Sequence, residues 1–104
     1  MRFSDLEKER VAILGAGREG QAVWRQVRKR FPEKPLSIFA ESDMDVRFAE
    51  ELNEALDSCH HGPFKVAQLE RFSVLVRSAG ISPYRSELQQ LKSMGRRFTS
   101  ASNL

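Results

Sequence analysis

Val11-Ala12-Ile13-Leu14-Gly15-Ala16-Gly17-Arg18-Glu19-Gly20 is the stretch whose reading decides the fold. Four apolar residues run into a glycine, as expected of a strand buried on both faces. The glycines are then spaced G-x-G-x-x-G, and from about Glu19 to Arg30 the residues carry a helical pattern. In a strand-turn-helix unit each glycine has a task. Gly15 permits the tight turn, Gly17 lets a phosphate approach the backbone, and Gly20 lets the helix lie close to the strand. The start of the helix offers unpaired N–H groups and a partial positive charge to an anion.

Outward from this unit the chain alternates β-rich runs with helical stretches. Ala22, Val23 and Val27 are expected to pack on the sheet with Trp24 to the side, and Pro32 and Pro35 to separate the helix from a strand over 36–40. A second helix is expected from about Asp45, its N-cap, to Asp57, with Phe48, Leu52, Ala55 and Leu56 inward. A turn over 58–63, a short strand at 64–66 and a helical turn within 67–72 follow. Residues 73–77 read as a strand and 78–83 as a loop. Residues 86–94 read as a helix with Leu88, Leu91 and Met94 inward and Gly95 as its left-handed stop, and 97–99 as the last strand. The expectation is an α/β, Rossmann-like three-layer domain. Its five-stranded parallel sheet has the order 3-2-1-4-5, with a ligand crevice above strands one and four.

At 104 residues the chain reads as one domain, residues 1–104. Its net charge of +3 does not imply a nucleic-acid partner. Arg25, Arg28, Lys29 and Arg30 sit where the end of a helix favours cations, and are expected on a solvated face; no RNP-type aromatic string or zinc-finger spacing occurs. The first eight residues are charged and lack an apolar run, so neither a secretory signal nor a membrane partner is expected. The expected location is cytoplasmic, which the single cysteine, Cys59, also suits. Cys59 reads as an inert thiol, and His60 and His61 beside Gly62-Pro63 as an exposed turn without zinc spacing. Nothing suggests nucleophilic catalysis or a metal site. Tyr84 is a packing residue or a wall of the crevice.

Glu41-Ser42-Asp43 ends the second strand about 20 residues beyond the last glycine, where an acid reading ribose or base is expected. Glu41 is the first choice, since it lies nearest the strand's end. On these residues alone, an NAD(P)- or other dinucleotide-binding module of a dehydrogenase or regulatory sensor fits as well as a domain for a nucleotide-linked substrate. An interaction domain without a ligand is a third class.

Val74-Leu75-Val76-Arg77-Ser78-Ala79-Gly80-Ile81 resembles the V-x-S-P-G-[IV] segment of the Mur ligases, the ATP-dependent enzymes that extend the peptidoglycan precursor. The Ser86-Glu87-Leu88 helix start and Gly95 before a short strand keep that family's order, and the resemblance covers nearly the whole chain. It is nearest the N-terminal domain of the glutamate-adding members, whether D- or L-glutamate. The resemblance implies a domain that binds the UDP end of UDP-N-acetylmuramoyl-L-alanine. Backbone N–H groups of Arg18 and Glu19 would hold the diphosphate, with Gly15, Gly17 and Gly20 shaping the turn. Glu41, Ser42 and Asp43 would lie beside the uridine, and Ser78 and Gly80 would close the other side. Ala79 stands where the family has proline, and the Glu19 side chain is expected to point outward or pair with Arg18. No G-x-x-x-x-G-K-[ST] loop occurs, so no cofactor is expected in this stretch. ATP and magnesium would belong to downstream ATP-binding and C-terminal domains, and this stretch alone would be inactive. The 100–104 tail, without an end signal, reads as leading into such domains.

Overall fold

The computed structural model describes residues 1–104. Strand β1 (Val11–Leu14) lies mid-sheet between β2 (Leu36–Ala40) and β4 (Val74–Arg77), with β3 (Asp57–His61) and β5 (Arg97–Ser100) on the edges. Every pairing is parallel, in the order β3-β2-β1-β4-β5, as the sequence predicts. Leu14 stands opposite Phe39 on one side and Arg77 on the other, so β1, β2 and β4 end level and their loops share one edge of the sheet. The helices are α1 (Arg18–Arg30), α2 (Val46–Glu51), α3 (Val66–Leu69) and α4 (Ser86–Ser93), and 3-10 turns occupy Phe3–Leu6 and Ala101–Asn103.

Alternation along the central strands divides the core in two. Val11, Ile13, Leu36, Ile38, Val74 and Val76 face a layer that includes Val23, Trp24 and Val27 of α1 and Phe48 of α2. Ala12, Leu14, Phe39 and Leu75 face Leu69, Leu88 and Leu91 from α3 and α4, together with Phe64. A sheet buried on both faces explains why β1 and β4 read as unbroken apolar runs.

The structure corrects several local expectations. Helix α1 rests on the sheet through Gly20, Val23, Trp24 and Val27, whereas Ala22 is exposed. Trp24 is buried because its indole N–H donates to Asp57 Oδ1 at 2.9 Å and its ring meets Phe48 edge-on at 5.4 Å. Helix α2 is capped by Asp45, whose carboxylate accepts from the Arg47 N–H at 2.9 Å, but it ends at Glu51 rather than 57. Asn53 stops it: its side chain accepts from the Ala55 N–H at 2.9 Å, and its carbonyl accepts from the Leu56 and Asp57 N–H groups. Leu52 and Leu56 are therefore only half-buried and Ala55 is exposed.

The third strand is Asp57–His61, where a turn was expected, and 64–66 forms no strand. An edge strand tolerates the polar run that made this segment look like a turn. His60 stacks on Phe39 at 4.4 Å, and Cys59 lies exposed on the edge. Met94 points outward at 39% exposure because α4 ends before it, while Gly95 adopts the expected left-handed conformation. Arg28 also leaves the solvated face assigned to it. Its guanidinium pairs with the fully buried carboxylate of Asp57 at 2.6 Å and donates to the Phe31 and Pro32 carbonyls. No helix is long and apolar enough to cross a membrane.

Asp57 therefore ties α1 to β3, and its second oxygen accepts from the Asn53 N–H at 2.9 Å. Asp57→Ala would leave Arg28, Trp24 and Asn53 without this partner and should cost about 3 kcal/mol, the scale for breaking a buried ion pair. Urea unfolding of the two proteins measures this.

Candidate diphosphate-binding site

The glycine turn is built by steric necessity at two of its three glycines. Gly15 has φ +98°, a left-handed conformation, and its N–H donates to the Phe39 carbonyl at 2.7 Å. A Cβ there would stand 2.9 Å from Ser78 Oγ and 3.3 Å from Ile81 Cδ1. At Gly20 a Cβ would stand 2.0 Å from the Gly15 carbonyl oxygen, so α1 approaches the turn more closely than any side chain allows. Gly17 differs from both. It is the extended N-cap of α1, and a Cβ there would meet nothing within 4 Å. No protein packing requires a glycine at this position.

Gly17 carries no side chain to cap the helix. The first N–H groups of α1, from Arg18 onward, have no partner within the helix and open at the sheet edge. The Gln21 side chain donates to the Ala16 carbonyl at 3.0 Å and helps hold the turn. This arrangement suits an anion held by backbone groups and the helix dipole.

Across from the turn, the β4–α4 loop is fastened to the end of β1. The Ser78 N–H and hydroxyl both donate to the Leu14 carbonyl, at 3.3 and 3.1 Å. Arg77 donates to the Ile81 carbonyl at 2.7 Å, and Ile81 N–H to the Ser78 carbonyl at 3.0 Å. Glu19 neither points away nor pairs with Arg18. Its carboxylate accepts from the Ala79 N–H at 3.2 Å, so it reaches from the first turn of α1 to the facing loop. Where the proline of the Mur segment has no N–H, Ala79 supplies one and Glu19 uses it.

Glu41 is also occupied. Arg85, just before α4, grips both of its oxygens at 2.6 Å and reaches Glu87 at 3.2 Å. The guanidinium lies 4.8 Å over the ring of Phe64. Bonding to Arg85 lowers the pKa of the Glu41 carboxyl from its ordinary value.

A hollow of about 220 Å³ lies between the glycine turn and the end of β2. Gly15, Gly17, Glu41, Ser42 and Asp43 border it, with Phe64 and Ile81 completing the wall. Arg18, Glu19 and Gly20 begin the helix beside it. Of the remaining candidates, Ser78 turns its hydroxyl under the turn, and Gly80 is exposed on the loop. Phe64 and Arg85 escaped the sequence reading: Phe64 lies far along the chain from the glycines, and Arg85 has no motif around it. Tyr84 is 83% exposed and borders no part of this hollow. A wider depression of about 1050 Å³ lies between α2 and β3, and no residue of the glycine turn lines it.

No family model matches the chain. Among its relatives is a protein of Xanthomonas euvesicatoria named UDP-N-acetylmuramoyl-L-alanine–L-glutamate ligase, 40% identical over 87 residues, which are 84% of this chain and 18% of that protein. The protein of the same name from Xanthomonas oryzae is 38% identical over 99 residues, 94% of this chain and 20% of its own length. One from Xylella fastidiosa is 38% identical over 86 residues. The resemblance to the Mur ligases read from the sequence is borne out by these similarities. The chain spans about a fifth of the length of the curated relatives it matches.

In this chain Gly20 serves the fold while Gly17 leaves open space. Gly20→Ala should destabilise the domain by at least the ~1–3 kcal/mol typical of overpacking, because the obstacle is backbone. Gly17→Ala should cost only about 1 kcal/mol, the scale of a less favourable N-cap residue, because a Cβ there meets nothing within 4 Å. Thermal unfolding of both variants measures the contrast.

Proposed function

We propose that the chain binds the UDP end of UDP-N-acetylmuramoyl-L-alanine, as the substrate-holding part of an ATP-dependent ligase that adds L-glutamate in peptidoglycan precursor synthesis. The observation that carries this reading is Gly17. Its missing side chain serves no packing need, yet it stands where the open helix end meets the hollow. A bound diphosphate supplies the reason: its oxygens need the space a Cβ would take. The names of the relatives supply the choice of nucleotide and of L-glutamate.

In this reading the N–H groups of Arg18 and Glu19 donate to the diphosphate, and the uridine lies toward residues 41–43. Glu19 would repel the diphosphate if it faced the helix end; its engagement with Ala79 turns it to fastening the opposite loop. The hollow is smaller than the ~300–1,000 Å³ of a pocket for a drug-sized ligand, and accommodates part of a nucleotide rather than the whole. Sugar and peptide would extend toward other parts of a longer protein acting in the cytoplasm.

The residues present do not fit ATP with magnesium. The chain has no G-x-x-x-x-G-K-[ST] loop and no group of His, Cys, Asp or Glu placed to hold a metal ion. In the proposed reading, nucleotide hydrolysis and amide formation belong to ATP-binding and C-terminal domains of a longer protein.

Titrating UDP and NAD separately against the chain, read by amide NMR shifts, tests the reading. UDP should shift residues 17–20 and 41–43, with NAD inert, and Gly17→Val should remove the effect while the protein stays folded. Saturable NAD binding with UDP inert would make the domain a dinucleotide module instead.

A further inference from the structure

The loop after β4 closes into a tight turn. The Ile81 N–H donates to the Ser78 carbonyl at 3.0 Å, which leaves Ala79 and Gly80 as the two central residues. Ser78 is fastened to Leu14 through its N–H and its hydroxyl, and Arg77 holds the Ile81 carbonyl at 2.7 Å. These bonds tie the ends of the turn to strands β1 and β4. Its crown is held by one hydrogen bond, from the Ala79 N–H to Glu19 Oε2 at 3.2 Å, and Glu19 lies 60 positions back in the chain.

Glu19 belongs to the first turn of α1. A carboxylate there suits the helix dipole but opposes a second anion brought to the same helix end. Here the side chain is drawn aside. Glu19 and Ala79 border a separate hollow of about 340 Å³, walled by Ala22, Val23 and Ala101, and neither borders the one beside the glycine turn. Ile81 does border that one, and its Cδ1 stands 3.3 Å from where a Cβ on Gly15 would be. The turn that Glu19 holds by its crown thus ends in a residue that meets the glycine turn and walls the hollow.

We infer that Glu19 is a positioning residue of the nucleotide site: its carboxylate, bonded to the Ala79 N–H, holds the 78–81 turn against the start of α1 and so keeps the Ile81 wall in place for the ligand. This rests on the nucleotide reading proposed above. The acid at the helix end then strengthens diphosphate binding through the turn, whereas an unengaged acid there would only weaken it through its charge. The two roles have opposite signs, which makes them separable.

The test uses the 104-residue chain with UDP as the probe and dissociation constants measured by titration calorimetry. Glu19→Gln removes the charge and keeps an oxygen that can accept from Ala79, while Glu19→Ala removes both. The difference between these variants reads the tether free of the charge. Glu19→Ala should bind UDP about fivefold more weakly than Glu19→Gln, the scale of one hydrogen bond, and its Ala79 amide should exchange faster with solvent. Ala79→Pro deletes the donor, and proline suits the second position of a turn whose Gly80 is not left-handed. In that background the gap between the two Glu19 variants should vanish, and thermal unfolding should show every variant folded. UDP affinity in Glu19→Ala equal to or above that in Glu19→Gln, or a gap that survives Ala79→Pro, overturns the inference while wild-type UDP binding keeps the nucleotide reading standing. A wild-type chain that does not bind UDP overturns both together.

Discussion

Helix α1 can begin beside strand β1 only because residue 20 has no side chain. A Cβ at Gly20 would penetrate the carbonyl oxygen of Gly15, and that oxygen cannot retreat. Gly15 is held by its own left-handed φ, by its hydrogen bond to Phe39 and by Ser78 packed where its Cβ would be. This contact aims the open end of the helix along the sheet edge. It also brings Glu19 within reach of Ala79 and so fastens the two sides of the crevice. The turn, the facing loop and the helix direction are consequences of one close approach between backbones.

At the other end of the helix a polar contact does comparable work. Asp57 is buried, yet each of its oxygens is partnered, by Trp24 and Arg28 from α1 and by the Asn53 backbone before β3. A buried charge is tolerated only with such satisfaction. Helix α1 is thus pinned at its start by the absence of a side chain and farther along by a carboxylate from an edge strand. Between these pins Val23 and Val27 close on the sheet. The position of the first-turn N–H groups is fixed by contacts distant from them in sequence.

Much of the fold was legible in the chain because its central strands are apolar on both faces and its glycines are spaced for one local geometry. Those signals are short-range: strand β1, the turn and α1 depend on residues within a few positions of one another. The edge strand Asp57–His61 was not legible, since a strand at the margin of a sheet need not be apolar and its residues resemble a turn. The end of α2 was hidden for a related reason. Asn53 halts it through side-chain and backbone hydrogen bonds, which the continuing Leu52, Ala55 and Leu56 pattern does not register.

The same division runs through the site. The amino-acid order by itself determined the strand-glycine-helix unit, the parallel sheet and the acid at the end of β2, because these follow from periodicity and from where glycine is tolerated. Only the tertiary structure decided what those groups are free to do. Glu41 looks like a ribose acceptor until Arg85, 44 residues away, is folded against it. Glu19 looks like a repulsive charge until its carboxylate meets Ala79, and Arg28 looks solvated until Asp57 is brought beneath it. A charged side chain acts through its partner, and here each partner lies far along the chain, where no local pattern can indicate it.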